Sequence, residues 1–115
     1  MEKNVKISIL CELYGKMLTE KQYTFIDDYY NNDLSLSEIA ENNNITRQAV
    51  RDVIKQAENK LFELEEKLQF MYRMQEQEKI ISSIKKDIQA IETNINNSKT
   101  KEIIKNIEDK INKLV

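Results

Sequence analysis

Residues 34–55 constrain the fold more than any other stretch, because two helix start signals stand close together in them. Ser35 and, three residues later, Glu38 form a capping box, in which each side chain satisfies a backbone N–H of the helix start. Thr46 offers a second capping oxygen. The three asparagines at 42–44 separate the two signals, and asparagine tolerates the left-handed backbone that ends a helix. We therefore expect two short helices joined by a tight turn.

The remaining residues of this stretch have the offsets that two helices need to pack at a steep angle. The apolar ones are Ile39, Ala40, Ile45, Val50, Val53 and Ile54. The outward side of the second helix is polar and suited to the major groove of DNA; it carries Arg47, Gln48, Arg51, Asp52 and Lys55. The pattern predicts a helix-turn-helix, and these five residues with the cap Thr46 are the candidate DNA-binding residues. Such units also serve as protein-docking modules, so the fold alone leaves the function open.

The overall charge does not favour nucleic acid. The chain has 18 lysines and arginines against 20 aspartates and glutamates, a net charge of −2, whereas nucleic-acid-binding domains usually have a basic excess. Arg47, Arg51 and Lys55 nevertheless follow one another at four-residue spacing, which concentrates positive charge on one helix face. For a single protomer we expect DNA binding to be weak and strongly dependent on salt.

Composition predicts an all-α protein of 115 residues, because there is no proline and Gly15 is the only glycine. The single cysteine, Cys11, rules out an internal disulfide and is expected to be a small buried hydrophobe rather than a reactive thiol. No stretch approaches the roughly 20 apolar residues of a membrane span. The chain also lacks a basic segment followed by an apolar run at its start, so we expect a cytoplasmic location.

Two helices are expected before the helix-turn-helix. Residues 4–14 have one apolar stripe, and Gly15 is expected to end this helix in the left-handed conformation. Thr19 and Gln22 form another capping box at the start of a second helix. Its bulky face consists of Tyr23, Ile26, Tyr29 and Tyr30. We interpret these tyrosines as core residues rather than base-stacking residues, because they have helical spacing next to a core.

The C-terminal part is predicted to form a helical hairpin. The helix that begins at Thr46 is expected to run about 28 residues, to Met74, with a bend over residues 75–78. Isoleucines then recur at 3-4 spacing on both sides of a break at residues 96–98, and Leu114 ends the second series. The isoleucines are Ile81, Ile84, Ile88, Ile91, Ile95, Ile104, Ile107 and Ile111. They either close a hairpin within one chain, pack onto the long helix, or form the seam of a homodimer. The predicted division is a helix-turn-helix domain of residues 1–72 and a hairpin or assembly region of residues 73–115.

Residue types give no basis for catalysis. The sequence has no histidine, no cysteine pair, no glycine-rich phosphate loop and no nucleophile beside a base. The carboxylates are spread at spacings typical of solvated helix surfaces. We expect a protein that is not an enzyme, with no cofactor, no metal and no small-molecule substrate.

The order of short motifs in residues 18–68 resembles one known family. LTEKQ at 18–22, the pair Tyr29 and Tyr30, LSEIA at 36–40 and RQAV at 47–50 occur in the order and at the spacing of the YlxM family of small bacterial proteins. The same region is more distantly similar to the fourth region of bacterial primary sigma factors. The resemblance covers most of residues 7–72, and the isoleucine-rich tail from about Glu76 is expected to lie outside it.

The resemblance implies a cytoplasmic regulator encoded beside the signal recognition particle GTPase and its receptor. The sigma-like likeness implies base contacts from Arg47, Gln48 and Arg51 and a phosphate contact from Lys55. Asp52 lies among these residues, and its charge is expected to oppose tight non-specific DNA binding. Two hypotheses follow. The first is a helix-turn-helix DNA-binding regulator that takes part in the signal recognition particle pathway. The second is an interaction module that docks on the particle's GTPase or its RNA.

Overall fold

The chain consists of α-helices in the computed structural model, which describes residues 1–114. Six are present in this range: α1 (Lys3–Tyr14), α2 (Glu20–Tyr30), α3 (Leu36–Asn43), α4 (Arg47–Leu68), α5 (Phe70–Glu92) and α6 (Ser98–Asn112). A 3-10 turn, Gly15–Met17, follows α1. The predicted all-α class is confirmed. None of the described helices has the length and apolar character to cross a membrane.

The helices form two compact units, one of residues 1–71 and one that begins at Tyr72. The first unit has two buried clusters. One joins α1, α2 and α4 and consists of Ile7, Leu10, Cys11, Tyr14, Leu18, Ile26, Ala57, Leu61 and Met71. The other joins α2, α3 and α4 and consists of Phe25, Ile39, Ala40, Val50 and Ile54. The second cluster holds α3 against α4, so the predicted helix-turn-helix is confirmed.

Local capping explains where three of these helices begin. The side chains of Thr19 and Ser35 each accept a hydrogen bond from a backbone N–H of the first turn and complete the predicted capping boxes. Thr46 Oγ1 accepts from the backbone N–H of Ala49 at 3.0 Å. Asn44 ends α3 in the left-handed conformation, with φ 55° and ψ 43°. All four features were predicted from the sequence; α3 itself extends one residue beyond the expected 36–42.

Gly15 has a different role from the predicted one. Its backbone is right-handed, with φ −56° and ψ −33°, and it continues into the 3-10 turn. The expected left-handed end of α1 is therefore wrong. A Cβ on Gly15 would lie 2.7 Å from Cε2 of Tyr23, so a larger residue here would displace the partly exposed tyrosine ring. The spacing along one chain segment could not reveal a contact made by the next helix.

The predicted 28-residue helix is interrupted at Gln69, which adopts a left-handed conformation with φ 57° and ψ 32°. The bend expected over residues 75–78 is also absent, since α5 runs through them. Contacts from α1 and α4 account for the position of the break. Tyr14 Oη donates to Glu65 Oε1 at 2.7 Å and accepts from the backbone N–H of Phe70 at 3.1 Å. Glu65 Oε1 also accepts from the N–H of Met71 at 3.0 Å, so both side chains cap the start of α5.

The second unit contains the predicted hairpin of α5 and α6. Ile81 and Ile88 of α5 pack with Ile104 and Ile111 of α6, and each is less than one tenth exposed. The helical hairpin therefore closes within one chain. Asn97 begins α6 by accepting hydrogen bonds from the N–H groups of Lys99 and Thr100. The other seam positions stay open to solvent and consist of Ile84, Ile91, Ile107 and Leu114, with Ile80 and Ile103 beside them.

The tyrosine face of α2 is less buried than predicted. Ile26 is buried and Tyr30 packs against both clusters, but Tyr23 and Tyr29 are 43% and 38% exposed. Phe25, which the predicted face omitted, is 2% exposed and lies under the helix-turn-helix. The reason is that α2 packs on α1, α3 and α4 and therefore buries a face that differs from the predicted tyrosine stripe.

Cys11 lies in the core as predicted, and 6% of its surface is exposed. Burial, followed by the nearby Asp27 carboxylate, raises the pKa of its thiol to about 11. The thiolate is the nucleophilic form of cysteine, so a raised pKa makes this thiol unreactive at neutral pH.

Candidate nucleic-acid interface

The N-terminal half of α4 has one buried side and one polar side. Val50 and Ile54 are 0% and 5% exposed in the cluster with α3. The six candidate residues all lie exposed on the rest of this helix start: Thr46, Arg47, Gln48, Arg51, Asp52 and Lys55. Burial of the apolar side fixes the rotation of α4, so the polar side chains project from a rigid support. Such a support is what a helix needs in order to place side chains against base edges.

Four of the six residues line one shallow groove. Thr46, Arg47, Gln48 and Arg51 enclose it together with Leu36 at the start of α3, and its volume is about 520 Å³. Thr46 contributes as the cap, because its hydroxyl oxygen is occupied by the N–H of Ala49. The groove therefore lies where the start of α3 meets the start of α4.

Positive charge dominates the groove. Neither Arg47 nor Arg51 forms an ion pair with any of residues 1–114, so both guanidinium groups can bind an external anion. The first turn of α4 contains no acidic residue, and the N–H groups of a helix start favour anions. A phosphate group and the hydrogen-bond acceptor edge of guanine are therefore both suitable ligands for this groove.

Gln48 and Asp52 are tied to each other. The side-chain amide of Gln48 donates to Asp52 Oδ1 at 2.9 Å, one helical turn away. A glutamine that reads adenine uses both its amide nitrogen and its carbonyl oxygen, so Gln48 has to leave Asp52 before it can do so. Asp52 does not line the groove itself, but it is the hydrogen-bond partner of Gln48, which does.

Lys55 lies outside the groove. It lines a neighbouring cavity with Arg51, one turn earlier on α4, and with Lys3 of α1 and Tyr29 of α2. Neither Lys3 nor Tyr29 was predicted from the sequence to bind a ligand. Lys3 is about fifty residues away from α4 in the chain, and nothing in its local pattern distinguishes it from other surface lysines. Among the described residues, no group of three or more His, Cys, Asp or Glu side chains could hold a metal ion.

Comparison with known proteins identifies relatives along nearly the whole chain. The profile of the UPF0122 family, described as "Putative helix-turn-helix protein, YlxM / p13 like", matches residues 1–103. A UPF0122 protein of Malacoplasma penetrans is 50% identical over 80 residues, which cover 70% of this chain and 75% of the relative. One from Clostridium kluyveri is 41% identical over 111 residues, 96% of each chain. One from Acetivibrio thermocellus is 37% identical over 115 residues, covering 100% of this chain and 98% of the relative.

These matches correct the expected extent of the resemblance. The tail from about Glu76 was predicted to lie outside it, but the family profile continues to residue 103, and the Acetivibrio relative aligns with the full chain. The profile therefore includes all of α5 and the start of α6. Sequence motifs concentrate in the helix-turn-helix, whereas an isoleucine seam has only its spacing, which explains why the tail was not recognised.

Proposed function

The chain belongs to the UPF0122 family of YlxM- and p13-like helix-turn-helix proteins, and we propose that it is a DNA-binding regulatory protein that uses the start of α4 as its reading surface. One observation carries this proposal: Arg47 and Arg51 are exposed and unpaired within residues 1–114, on a helix whose opposite side is buried. The proposed role is non-enzymatic, and its site is the cytoplasm.

The proposed interface assigns a different task to each side chain. Arg47 and Arg51 bind the acceptor edge of guanine or a phosphate, since guanidinium groups suit both. Gln48 contacts a base after it leaves Asp52, and Lys55 binds phosphate. Asp52 accepts from the amino group of cytosine and repels a misplaced phosphate, so it favours sequence-specific over non-specific binding. Thr46 holds the first turn of α4 in position.

Assembly as a homodimer completes the proposal. The net charge of −2 gives one protomer little non-specific attraction to DNA, whereas two linked reading surfaces bind more tightly than one. The hairpin offers the contact, because Ile84 and Ile91 of α5 and Ile107 of α6 are 41%, 50% and 42% exposed. Exposed apolar residues in a row favour association.

We further propose, from the resemblance to the YlxM family, that this regulator takes part in the signal recognition particle pathway. The alternative is a protein- or RNA-interaction module that docks on the particle's GTPase or on its RNA. The near-neutral charge and the exposed isoleucines support this alternative, because a docking protein needs no basic excess.

A binding experiment with the purified chain distinguishes the two proposals. It measures whether the chain retains labelled chromosomal DNA fragments, the particle's RNA or the particle's GTPase. Each is titrated at two salt concentrations. For a regulator, we expect saturable binding to particular DNA fragments that weakens as salt rises. Binding of the RNA or the GTPase without any DNA fragment would replace the regulator by the docking module, and binding of none of them at low salt would contradict both.

A further inference from the structure

A second cavity of the first unit, which we call the tyrosine cleft, lies beside the reading surface. Its volume is about 440 Å³, within the range of roughly 300–1,000 Å³ that small-ligand sites occupy. Eight residues line it: Leu36 and Ile54 are apolar, and the other six are Lys3, Tyr29, Tyr30, Arg51, Lys55 and Glu58. Three are cations and one is a carboxylate, so the cleft has a net charge of +2 in a protein whose total charge is −2. The cleft therefore favours an anion.

Glu58 forms a fixed wall of the cleft and does not compete with an anion. Tyr30 Oη donates a hydrogen bond to Glu58 Oε1, and Lys3 Nζ lies 3.4 Å from Glu58 Oε2. Both carboxylate oxygens therefore have partners. The Glu58 side chain is only 14% exposed. Burial and the Glu58 carboxylate raise the pKa of the Tyr30 phenol above its ordinary value, so Tyr30 remains a neutral donor.

Arg51 and Lys55 are the cations that remain for a ligand. They are one turn apart on α4, both are exposed, and neither forms an ion pair within the described part of the chain. Two cations at this spacing can bind the oxygens of one phosphate group. Arg51 also lines the groove of the reading surface, as does Leu36, so Arg51 is the charged side chain that the tyrosine cleft and that surface share.

Tyr29 supplies an aromatic surface next to these cations. Tyr29 as a residue is 38% exposed, and its ring lies edge-on to that of Tyr30, with centroids 5.1 Å apart and planes at 89°. The contact with Tyr30 limits the rotation of Tyr29 without covering its ring completely. A planar base can stack on a ring held in this way. An aromatic platform, a pair of cations and a volume of this size together match the chemistry of a nucleotide.

We propose that the tyrosine cleft binds a nucleotide, with its base on Tyr29 and its phosphate at Arg51 and Lys55. The nucleotide is either a free nucleoside phosphate or an unpaired nucleotide within a strand, since both present the same groups. Binding engages Arg51, so an occupied cleft lowers the affinity of the reading surface for duplex DNA. The inference goes beyond the proposed function, because a nucleotide can bind here even if no duplex is read.

The proposal is tested by titrating the full chain with three kinds of ligand. They are the four nucleoside monophosphates, a single-stranded oligothymidylate and inorganic phosphate. Binding is followed by the amide resonances of residues 28–30 and 51–55. We expect saturable shifts with nucleotides or with the oligonucleotide at concentrations up to the millimolar range, and weaker binding of phosphate alone. Binding of free nucleotides identifies a small-molecule ligand, whereas binding of the oligonucleotide alone identifies an unpaired nucleotide of a strand.

Paired variants assign the binding to the tyrosine cleft. Tyr29→Ala should weaken nucleotide binding about tenfold, because it removes the stacking surface, while Tyr29→Phe should retain most of it. Lys55→Met should weaken binding as well. Two matched controls should leave it unchanged: Tyr23→Ala, an exposed tyrosine of the same helix outside the cleft, and Lys60→Met, an exposed lysine of the same helix as Lys55. Thermal unfolding verifies that each variant is folded.

Three results would overturn the nucleotide site. They are the absence of saturable shifts with every ligand, an unchanged affinity in Tyr29→Ala, and phosphate binding as strong as nucleotide binding. The proposal that α4 reads duplex DNA is tested independently, by the affinity of Arg47→Ala for duplex DNA. Arg47 lines the groove of the reading surface and does not line the tyrosine cleft.

Discussion

At the scale of single residues, the Tyr14 hydroxyl links the first helix to the junction of α4 and α5. It is part of a side chain with 0% exposure, it donates to Glu65 and it accepts from the N–H of Phe70. The Tyr14 ring also stacks on that of Phe70, with centroids 5.9 Å apart. One buried residue thereby secures the end of α4 and the start of α5.

Replacing Tyr14 by phenylalanine should lower the free energy of unfolding by about 1–3 kcal/mol, because the N–H of Phe70 loses its acceptor while the ring volume is kept. Urea denaturation measures the change. Thr24→Val provides a control in which an exposed hydroxyl of α2 is removed, and we expect it to have little effect. A loss no larger than that of the control would show that the hydrogen bonds of Tyr14 do not stabilise the junction.

At the scale of the elements, Gln69 marks the end of the reading helix. It is one of three residues other than glycine that have a positive φ among residues 1–114; the others are Asp33 and Asn44. The left-handed conformation costs roughly 1–2 kcal/mol for a residue with a Cβ. Contacts of Tyr14 and Glu65 with the start of α5 offset this cost.

The substitution Gln69→Gly should therefore raise the free energy of unfolding, by up to about 1 kcal/mol, since glycine adopts this conformation without strain. In an uninterrupted helix the same substitution should lower it by about 1 kcal/mol. Gln56→Gly, in the exposed middle of α4, is the matched control and should destabilise. Equal destabilisation by both substitutions would contradict the break at Gln69.

The hairpin contains a pair of carboxylates that responds to pH. Glu108 is partly buried, and burial followed by the charge of Glu92 raises the pKa of its carboxyl above the ordinary value of 4.5. A raised pKa means that the folded hairpin binds more protons than the unfolded chain at intermediate pH. This contribution to stability is complete below pH 4.5 and is lost as the pH rises through the raised pKa.

Acidification should accordingly stabilise the folded hairpin against opening, and Glu108→Gln should remove this dependence on pH. Hydrogen exchange of the α6 amides measures it. In the original chain we expect protection to increase, relative to the variant, as the pH falls from neutral towards 4.5. At neutral pH the variant should be the better protected of the two, because it has no charge facing Glu92. A parallel pH response in both proteins would argue against the carboxylate pair.

The sequence predicts those elements that are determined by contacts between residues close together in the chain. It does not predict those that are determined by contacts between distant residues. The capping boxes at Thr19 and Ser35 involve residues three positions apart, so their patterns were sufficient for prediction. The end of α4 depends on Tyr14, which is 51 residues before its partner Glu65, and no local pattern carries that information. The reading surface is a property of one helix and was proposed from sequence, whereas the tyrosine cleft is formed by α1, α2, α3 and α4 and required the structure.

At the scale of the whole molecule, the exposed isoleucines lead us to expect self-association at micromolar concentration. Ile84→Glu combined with Ile91→Glu should abolish it, since both side chains are exposed on one stripe of α5 and a charge there opposes apolar contact. Ser83→Glu combined with Ala90→Glu introduces the same charges at exposed positions of α5 outside the seam and should preserve the assembly. Light scattering that reports a monomer of the original chain throughout this range would contradict the homodimer.

The affinity of Arg47→Ala for a selected chromosomal fragment tests most directly whether the start of α4 reads duplex DNA. We predict that this substitution, like Arg51→Ala, costs about 1–3 kcal/mol of binding free energy. Lys67→Ala should have no effect, since this lysine lies in the last turn of the same helix and pairs with Glu63 at 3.0 Å. If no chromosomal fragment is bound saturably, or if Arg47→Ala binds as tightly as the original chain, α4 does not read DNA.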